Sequence, residues 1–87
     1  MKNREYIRQL ANFLVQTNTT MNGEILAEHL NWNNFKTKNG IKYKGKRGTY
    51  VLIRNTWKWL DKNGYKSEAQ NVADSFLTID GKYAYKK

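Results

Sequence analysis

Apolar side chains recur at every third or fourth position in four separate segments of this 87-residue chain, which is the spacing of one face of an α-helix. The spacing predicts helices over residues 3–17, 22–31 and 47–63, and a fourth that begins at Ser67 with a capping-box sequence over residues 67–70. Asn3 is the expected cap of the first helix, and Gly64 is the expected left-handed residue that ends the third. The apolar side of the fourth helix would consist of Val72, Ala73, Phe76 and Leu77. Because short helices depend on tertiary packing, we expect one small domain over residues 1–87.

Two further segments have the pattern of short β-hairpins. Around Asn39-Gly40, a dipeptide typical of a type I′ turn, packing residues alternate with lysines. The two faces would be Phe35, Thr37, Ile41 and Tyr43 on one side, and Lys36, Lys38 and Lys42 on the other. A flexible basic loop is the alternative for this segment. A turn at Asp80-Gly81 predicts a second, short strand pair at the C-terminal end.

The charge distribution is strongly uneven. The formal net charge is +9, and the interval between Glu28 and Asp61 has no acidic residue. Surfaces that serve only solubility usually mix both signs, whereas a one-sign stretch with aromatic residues is typical of a surface that binds a polyanion. A basic, solvated surface without a partner is the alternative. The predicted nucleic-acid-binding residues are Lys36, Lys38, Lys42, Lys44, Lys46, Arg47, Tyr50, Arg54 and Lys58.

The position of these bases predicts how nucleic acid would be bound. The second and third helices, with a compact connection between them, have the layout of a helix-turn-helix, in which the later helix enters the major groove. Arg47, Val51, Arg54 and Lys58 would share the outward stripe of this later helix. Arg47 and Arg54 would meet guanine edges or phosphates, and the lysine-rich hairpin would serve as a wing. The expected fold is therefore mainly α: a winged-helix-like helix-turn-helix domain of about four helices with one or two small β-hairpins.

Residues 27–43 resemble the helix-turn-helix segment of the large serine recombinase domain. The matching residues, in order and spacing, are Ala27, Leu30, Asn31, Phe35, Thr37, Gly40 and Tyr43. Asn34 departs from this pattern, because the family usually has glycine there, although asparagine also tolerates the left-handed conformation. The resemblance implies DNA binding. It does not imply strand cleavage, because the recombinase catalytic domain is absent from this sequence.

The later part of the chain is similar to small proteins encoded on plasmids and integrated mobile elements. The residues that carry this similarity are Gly48-Thr49-Tyr50, Leu52-Ile53, Gly64, Ala69, Val72-Ala73, Phe76 and Gly81-Lys82-Tyr83-Ala84-Tyr85. Among these proteins is the small middle protein of the replication operon of staphylococcal cassette elements, which partners an A-family DNA polymerase and confers primer synthesis on it. The similarity implies a DNA-binding accessory subunit that contacts a polymerase through part of its aromatic surface.

Other function classes have little support in the sequence. Cysteine is absent and His29 is the only histidine, so we expect no metal site and no cofactor. Glu24 and Glu28 share a helix face, but no aspartate cluster accompanies them, and they are expected to be solvated. No acid, base and nucleophile can be combined, so we expect neither an enzyme nor a small-molecule substrate. The absence of a long apolar run and of a signal-peptide pattern predicts a cytoplasmic protein without membrane contact.

Two alternative functions remain open at the level of sequence. A stand-alone helix-turn-helix regulator or excision factor would dimerise on a palindromic site, whereas a protein–protein adaptor would use its basic surface to bind an acidic partner.

The three tryptophans have more than one possible role. Trp57 lies on the predicted buried stripe, whereas Trp59 or Trp32 is expected to be partly exposed, where it could stack on an unpaired base, anchor a protein interface, or pack under the C-terminal segment.

Overall fold

The computed structural model describes residues 2–86, which form four α-helices and one small sheet. In chain order the elements are α1 (Asn3–Gln16), β1 (Met21–Asn22), α2 (Gly23–Trp32), α3 (Thr49–Lys62), α4 (Lys66–Ser75) and β2 (Phe76–Leu77). The predicted mainly α fold with four helices is therefore confirmed. The helix bounds agree with the predicted ones to within two residues, apart from the end of α4.

The hydrophobic core lies where α4 packs against both α1 and α3. On α3, the buried residues Ile53, Thr56 and Leu60 are three and four positions apart and therefore lie on one face of the helix, opposite the outward stripe. The Thr56 hydroxyl donates to the Leu52 carbonyl at 2.7 Å, so its oxygen is hydrogen-bonded inside the core. The largest buried apolar side chains come from all four helices and β2: Ile7, Leu26, Leu30, Ile53, Leu60, Val72 and Phe76.

Helices α1, α2 and α3 all end in a Schellman motif, in which a left-handed residue reverses the chain. The left-handed residues are Asn18, Asn34 and Gly64, with φ values of 53°, 62° and 85°. At the end of α3 the Tyr65 N–H donates to the Leu60 carbonyl at 2.8 Å. The predicted role of Gly64 is confirmed, and asparagine takes the same position after the other two helices, as its short polar side chain allows.

The two predicted helix caps are wrong. Asn3 is the first residue of α1 rather than its cap, and its amide bonds to a distant loop. The capping box at residues 67–70 does not form. Helix α4 begins at Lys66, one residue before Ser67, and the residue at its N-cap position is Tyr65, which directly follows the Schellman motif. Glu68 instead accepts hydrogen bonds from Arg8 of α1, at 2.7 and 2.9 Å.

The small sheet is a parallel pair of strands. Met21 of β1 lies opposite Phe76 of β2, and Asn22 lies opposite Leu77. The prediction that Phe76 and Leu77 continue the last helix is therefore wrong, because α4 ends at Ser75 and the backbone becomes extended. Phe76 is nevertheless fully buried, as its apolar character predicts. Helical spacing identified the buried residue but not its backbone conformation.

The C-terminal strand pair predicted around residues 80–81 is confirmed in a short form. Leu77 pairs antiparallel with Tyr83, and the Ala84 N–H donates to the Phe76 carbonyl at 2.9 Å. The backbone of residues 78–82 closes this turn through hydrogen bonds between Thr78 and both residues 81 and 82. The chain therefore returns beside β2 after one tight turn.

The hairpin predicted over residues 35–43 is wrong, because no strand ladder forms there. The Thr37 N–H donates to the Ile41 carbonyl at 2.8 Å, and the Gly40 N–H donates to the Thr37 carbonyl at 2.9 Å. Only Gly40 of the Asn39-Gly40 pair has a positive φ, which excludes a type I′ turn. Beyond this single turn, backbone groups that would pair across a hairpin bond instead to side chains of α1 and α2.

The compact connection predicted between α2 and α3 is also wrong. Residues 33–48 join these helices, and this segment is far longer than the three- or four-residue turn of a helix-turn-helix. The short connection lies between α3 and α4, over residues 63–65. Most of the predicted binding residues therefore lie on a long loop, named here the basic loop (residues 33–48).

Candidate nucleic-acid interface

The first half of the basic loop is held by hydrogen bonds from side chains outside it. The Asn31 amide bonds to the Tyr43 backbone in both directions, donating to its carbonyl and accepting from its N–H, each at 2.9 Å. The Asn3 amide donates to the Lys36 carbonyl at 2.7 Å and to the Tyr43 hydroxyl at 2.6 Å. Phe35 packs against Tyr6 of α1, with ring centroids 5.0 Å apart. These contacts give the loop a defined path across one end of the domain.

The lysines of this half point away from the protein. Lys36, Lys38 and Lys42 are all exposed, whereas Phe35 and Thr37 are partly buried and Tyr43 is only 4% exposed. The predicted separation into a packing side and a lysine side is therefore confirmed, except that Ile41 is 44% exposed. Burial raises the pKa of the Tyr43 hydroxyl, and the hydrogen bond from Asn3 opposes this effect.

The second half of the basic loop is a tight turn that leads into α3. Lys44 and Arg47 exchange backbone hydrogen bonds of 3.1 and 2.9 Å, and the buried Thr49 hydroxyl donates to the Lys44 carbonyl at 2.7 Å. The side chains of Lys44, Lys46 and Arg47 are exposed around this turn. Arg47 was predicted to lie on α3, but the helix begins at Thr49, so Arg47 belongs to the loop.

The outward stripe of α3 carries the remaining predicted bases. Arg54 and Lys58 are exposed, as are Val51 and Asn55. From Val51 to Lys58 the stripe extends about 10 Å along the helix, at 1.5 Å per residue. The predicted exposure of Val51, Arg54 and Lys58 on one side of α3 is therefore confirmed.

An open groove runs between the basic loop and this side of α3. Its volume is about 340 Å³, and its lining includes Asn3, Lys36, Lys38, Val51, Leu52 and Asn55. We name it the α3 groove. It brings Lys36 and Lys38 beside the exposed side of α3, although the two segments are separated in sequence. The exposure of Val51 was predicted from its position on the outward stripe. In contrast, no sequence pattern links Asn3 to a loop more than thirty residues away.

Tyr50 lies in a different environment from the predicted bases. Its hydroxyl is so close to Gly23 that a Cβ atom built on that glycine would lie 2.6 Å away. Burial raises the pKa of Tyr50, and the nearby carboxylates of Glu24 and Asp80 raise it further. Glu24 also lies against the basic loop, since a Cβ atom on Gly45 would be 2.7 Å from its side chain. The sequence interval between Glu28 and Asp61 has no acidic residue, but the fold places the carboxylates of Glu24 and Asp80 next to it, on the Tyr50 side of α3.

The exposed bases are not neutralised by the protein. Within residues 2–86, none of the eight lysines and arginines between Glu28 and Asp61 forms an ion pair with a carboxylate. The ion pairs in this part of the chain join Arg8 to Glu5 and Glu68, and Lys66 to Asp61. The charges of the basic loop and of α3 therefore remain available to an external anion.

The residues shared with the recombinase segment build the basic loop. Ala27 and Leu30 anchor α2 in the core, and Asn31 and Tyr43 form the reciprocal amide–backbone pair. Asn34 has a φ of 62°, the left-handed conformation expected where that family has glycine. Ala27, Leu30, Asn31 and Tyr43 are therefore scaffold residues. The exposed Lys36, Lys38 and Lys42 lie between Asn31 and Tyr43 in the chain.

The three tryptophans have distinct environments. Trp32 is 79% exposed at the end of α2. Trp57 packs edge-on against Tyr85, with ring centroids 5.6 Å apart, so the C-terminal segment covers it. Trp59 contacts the guanidinium of Arg4, 3.9 Å from its ring centroid, and stacks with the nearly parallel ring of Tyr65. Trp32 is thus the tryptophan with the greatest access to a ligand.

No protein-family model, curated protein or solved structure matches this chain. Among residues 2–86, no helix combines the length and the apolar character that crossing a bilayer requires. No three His, Asp or Glu side chains of the same residues come together as a metal site.

Proposed function

We propose that this protein binds nucleic acid through the basic loop and the outward stripe of α3. The observation that carries this proposal is the set of eight exposed bases without carboxylate partners in the described chain. A polyanion with regularly spaced phosphates matches such a surface, and release of its counterions would drive binding. The predicted contact of Tyr50 is the weakest of the set, because its hydroxyl faces Gly23 and two carboxylates.

In this proposal the lysines and the arginines have different roles. Lys36, Lys38 and Lys42 would bind the phosphate backbone, as the wing of a winged-helix protein does, although here they lie on a loop rather than a hairpin. Arg54 lies on the outward stripe of α3, where a planar guanidinium can donate two parallel hydrogen bonds to one base edge. Arg54→Ala should therefore change sequence preference, while the lysines contribute affinity to any sequence.

We further propose that the protein is a non-catalytic accessory subunit in the replication of a mobile element, where it contacts an A-family DNA polymerase. The similarity of residues 48–85 to small mobile-element proteins supports this role. Trp32 offers an anchor for a protein interface, because large exposed aromatic side chains dominate such contacts. Primer synthesis by an A-family DNA polymerase, measured with and without this protein, tests the role.

Binding of fluorescent random-sequence oligonucleotides, single- and double-stranded, at several salt concentrations tests the nucleic-acid proposal. We expect measurable binding at moderate salt with a steep decrease as salt rises. Sharp preference for one palindromic duplex would instead indicate a stand-alone regulator. No binding of either form at moderate salt would contradict the proposal and favour an adaptor for an acidic protein.

A further inference from the structure

The α3 groove has the chemical composition of a nucleotide site. Val51 and Leu52 give it an apolar surface, and Asn39 and Asn55 add side-chain amides that form no hydrogen bond within residues 2–86. Amides of this kind carry donors and acceptors that match the polar edge of a base. Within residues 2–86, no carboxylate lines the groove. An apolar floor with unused amides fits a heterocyclic base better than it fits a bare anion.

The size of the groove limits what can enter it. At about 340 Å³ it is near the lower end of the range for small-ligand sites, about 300–1,000 Å³. A single base with its sugar is small enough for a site of this size. The Watson–Crick edge of a base is free for the asparagine amides only when the base is unpaired.

The groove is held in shape without a ligand. Its loop wall is fixed by the hydrogen bond from the Asn3 amide to the Lys36 carbonyl, and the buried Tyr43 ring lies behind it. Its other wall is the first half of α3. Because both walls are ordered, little conformational entropy is lost when a base enters.

We infer that the α3 groove receives the base of one unpaired nucleotide of a single-stranded nucleic acid, with its flanking phosphates on Lys36 and Lys38. This inference rests on the proposed function and names its ligand class and site. Asn55 would position the base edge, and Val51 would contact its ring face. The basic loop would then bind the strand on either side through charge alone.

Two six-nucleotide probes test the inference at the same salt concentration: a thymidine hexamer, and a hexamer with the same phosphates in which all bases are absent. We expect the abasic probe to bind about tenfold more weakly, the scale of one stacked base. Equal binding of the two probes would contradict base binding in the α3 groove, but it would still agree with phosphate binding by the basic surface. Absence of binding by both probes would overturn the inference. The proposed function would fail as well only if a random-sequence duplex also did not bind at the same salt concentration.

Two pairs of variants locate the effect. Asn55→Ala should weaken binding of the thymidine probe at least threefold. Gln16→Ala should not, because it removes an exposed amide about 20 Å along α1 from Asn3, the residue of that helix that lines the groove. Val51→Phe should block the groove, and its control is Val15→Phe, at another exposed valine. If Val51→Phe binds the thymidine probe as tightly as the unaltered protein does, the groove is not the site.

A measurement on the unaltered protein makes the test independent of how the variants fold. Titration of the thymidine probe should move the backbone amide signals of residues 36–39 and 51–55 most strongly in an NMR spectrum. Signal changes confined to residues 44–47 and 58, with none at 36–39 or 51–55, would overturn the inference.

Discussion

The side-chain amide of Asn31 replaces a β-strand partner for Tyr43, because it bonds to both backbone groups of that residue at 2.9 Å. A neighbouring strand would supply the same donor and acceptor. This contact explains how the basic loop keeps a defined path without a strand ladder. It also connects α2, which lies in the core, to the segment that presents the lysines.

Replacement of Asn31 by alanine should loosen the basic loop and destabilise the protein. Both hydrogen bonds to Tyr43 are lost and the Tyr43 backbone is left unpaired, so we expect the free energy of unfolding to fall by about 1–3 kcal/mol. Urea unfolding measures this change. Asn33→Ala is the control, because Asn33 makes one exposed hydrogen bond to the His29 carbonyl. Equal effects of the two substitutions would contradict the role of Asn31.

Gly48→Ala should cost more stability than Gly64→Ala. Both glycines are left-handed, with φ values of 79° and 85°, and alanine pays about 1–2 kcal/mol for this conformation. At Gly48 the new Cβ would also lie 2.9 Å from the Thr37 methyl group and 3.1 Å from the Tyr43 ring. At Gly64, no atom of the described chain would lie within 4 Å of it. Comparison of the two variants by urea unfolding isolates this steric cost. Similar decreases in the free energy of unfolding would show that the basic loop moves to accommodate the new methyl group.

Stability should fall in acid partly because of Glu68. Hydrogen bonds from Arg8 and Asn12 hold the pKa of Glu68 below its ordinary value of 4.5. The stabilisation is therefore complete above the unfolded-state pKa and is lost as pH falls through the lower folded-state pKa. Glu68→Gln should cost about 1 kcal/mol at pH 7, and less at pH 3.

Urea unfolding of both proteins between pH 3 and pH 7 measures the Glu68 effect. Glu28→Gln is the control, because Glu28 is exposed on α2 and forms no ion pair within residues 2–86. A difference between the unaltered protein and Glu68→Gln that stays constant over this pH range would contradict the assignment.

Charge reversal at the groove should weaken nucleic-acid binding without regard to sequence. Lys36→Glu combined with Lys38→Glu removes two predicted phosphate contacts, so the slope of log affinity against log salt should decrease by about 1.5. Lys62→Glu combined with Lys82→Glu changes the net charge equally at exposed positions outside the basic loop. Anisotropy titrations at several salt concentrations compare the two proteins. Equal slopes for the two double variants would show that Lys36 and Lys38 do not contact phosphates.

Local sequence determined the helices and the exposure of the bases. Helical periodicity is a relation between residues three or four positions apart, so Ile53, Thr56 and Leu60 could be assigned to the buried side of α3 directly from their spacing. The left-handed conformations of Asn34 and Gly64 were equally predictable, because they follow from the residue type at a helix end. The lysines of the basic loop are exposed, as their charge requires.

Contacts between distant segments of the chain set the shape of the candidate site. Asn3 meets Lys36, Gly23 meets Tyr50, and β1 pairs with β2, although each pair of partners is separated by more than twenty residues. Such contacts depend on how α1, α2 and α4 pack, and no local pattern encodes them. The same packing holds the basic loop where a hairpin was predicted. It also places the carboxylates of Glu24 and Asp80 beside one side of the segment between Glu28 and Asp61, which has no acidic residue of its own. It thereby left the other flank, with Lys36 and Lys38, as the open basic groove.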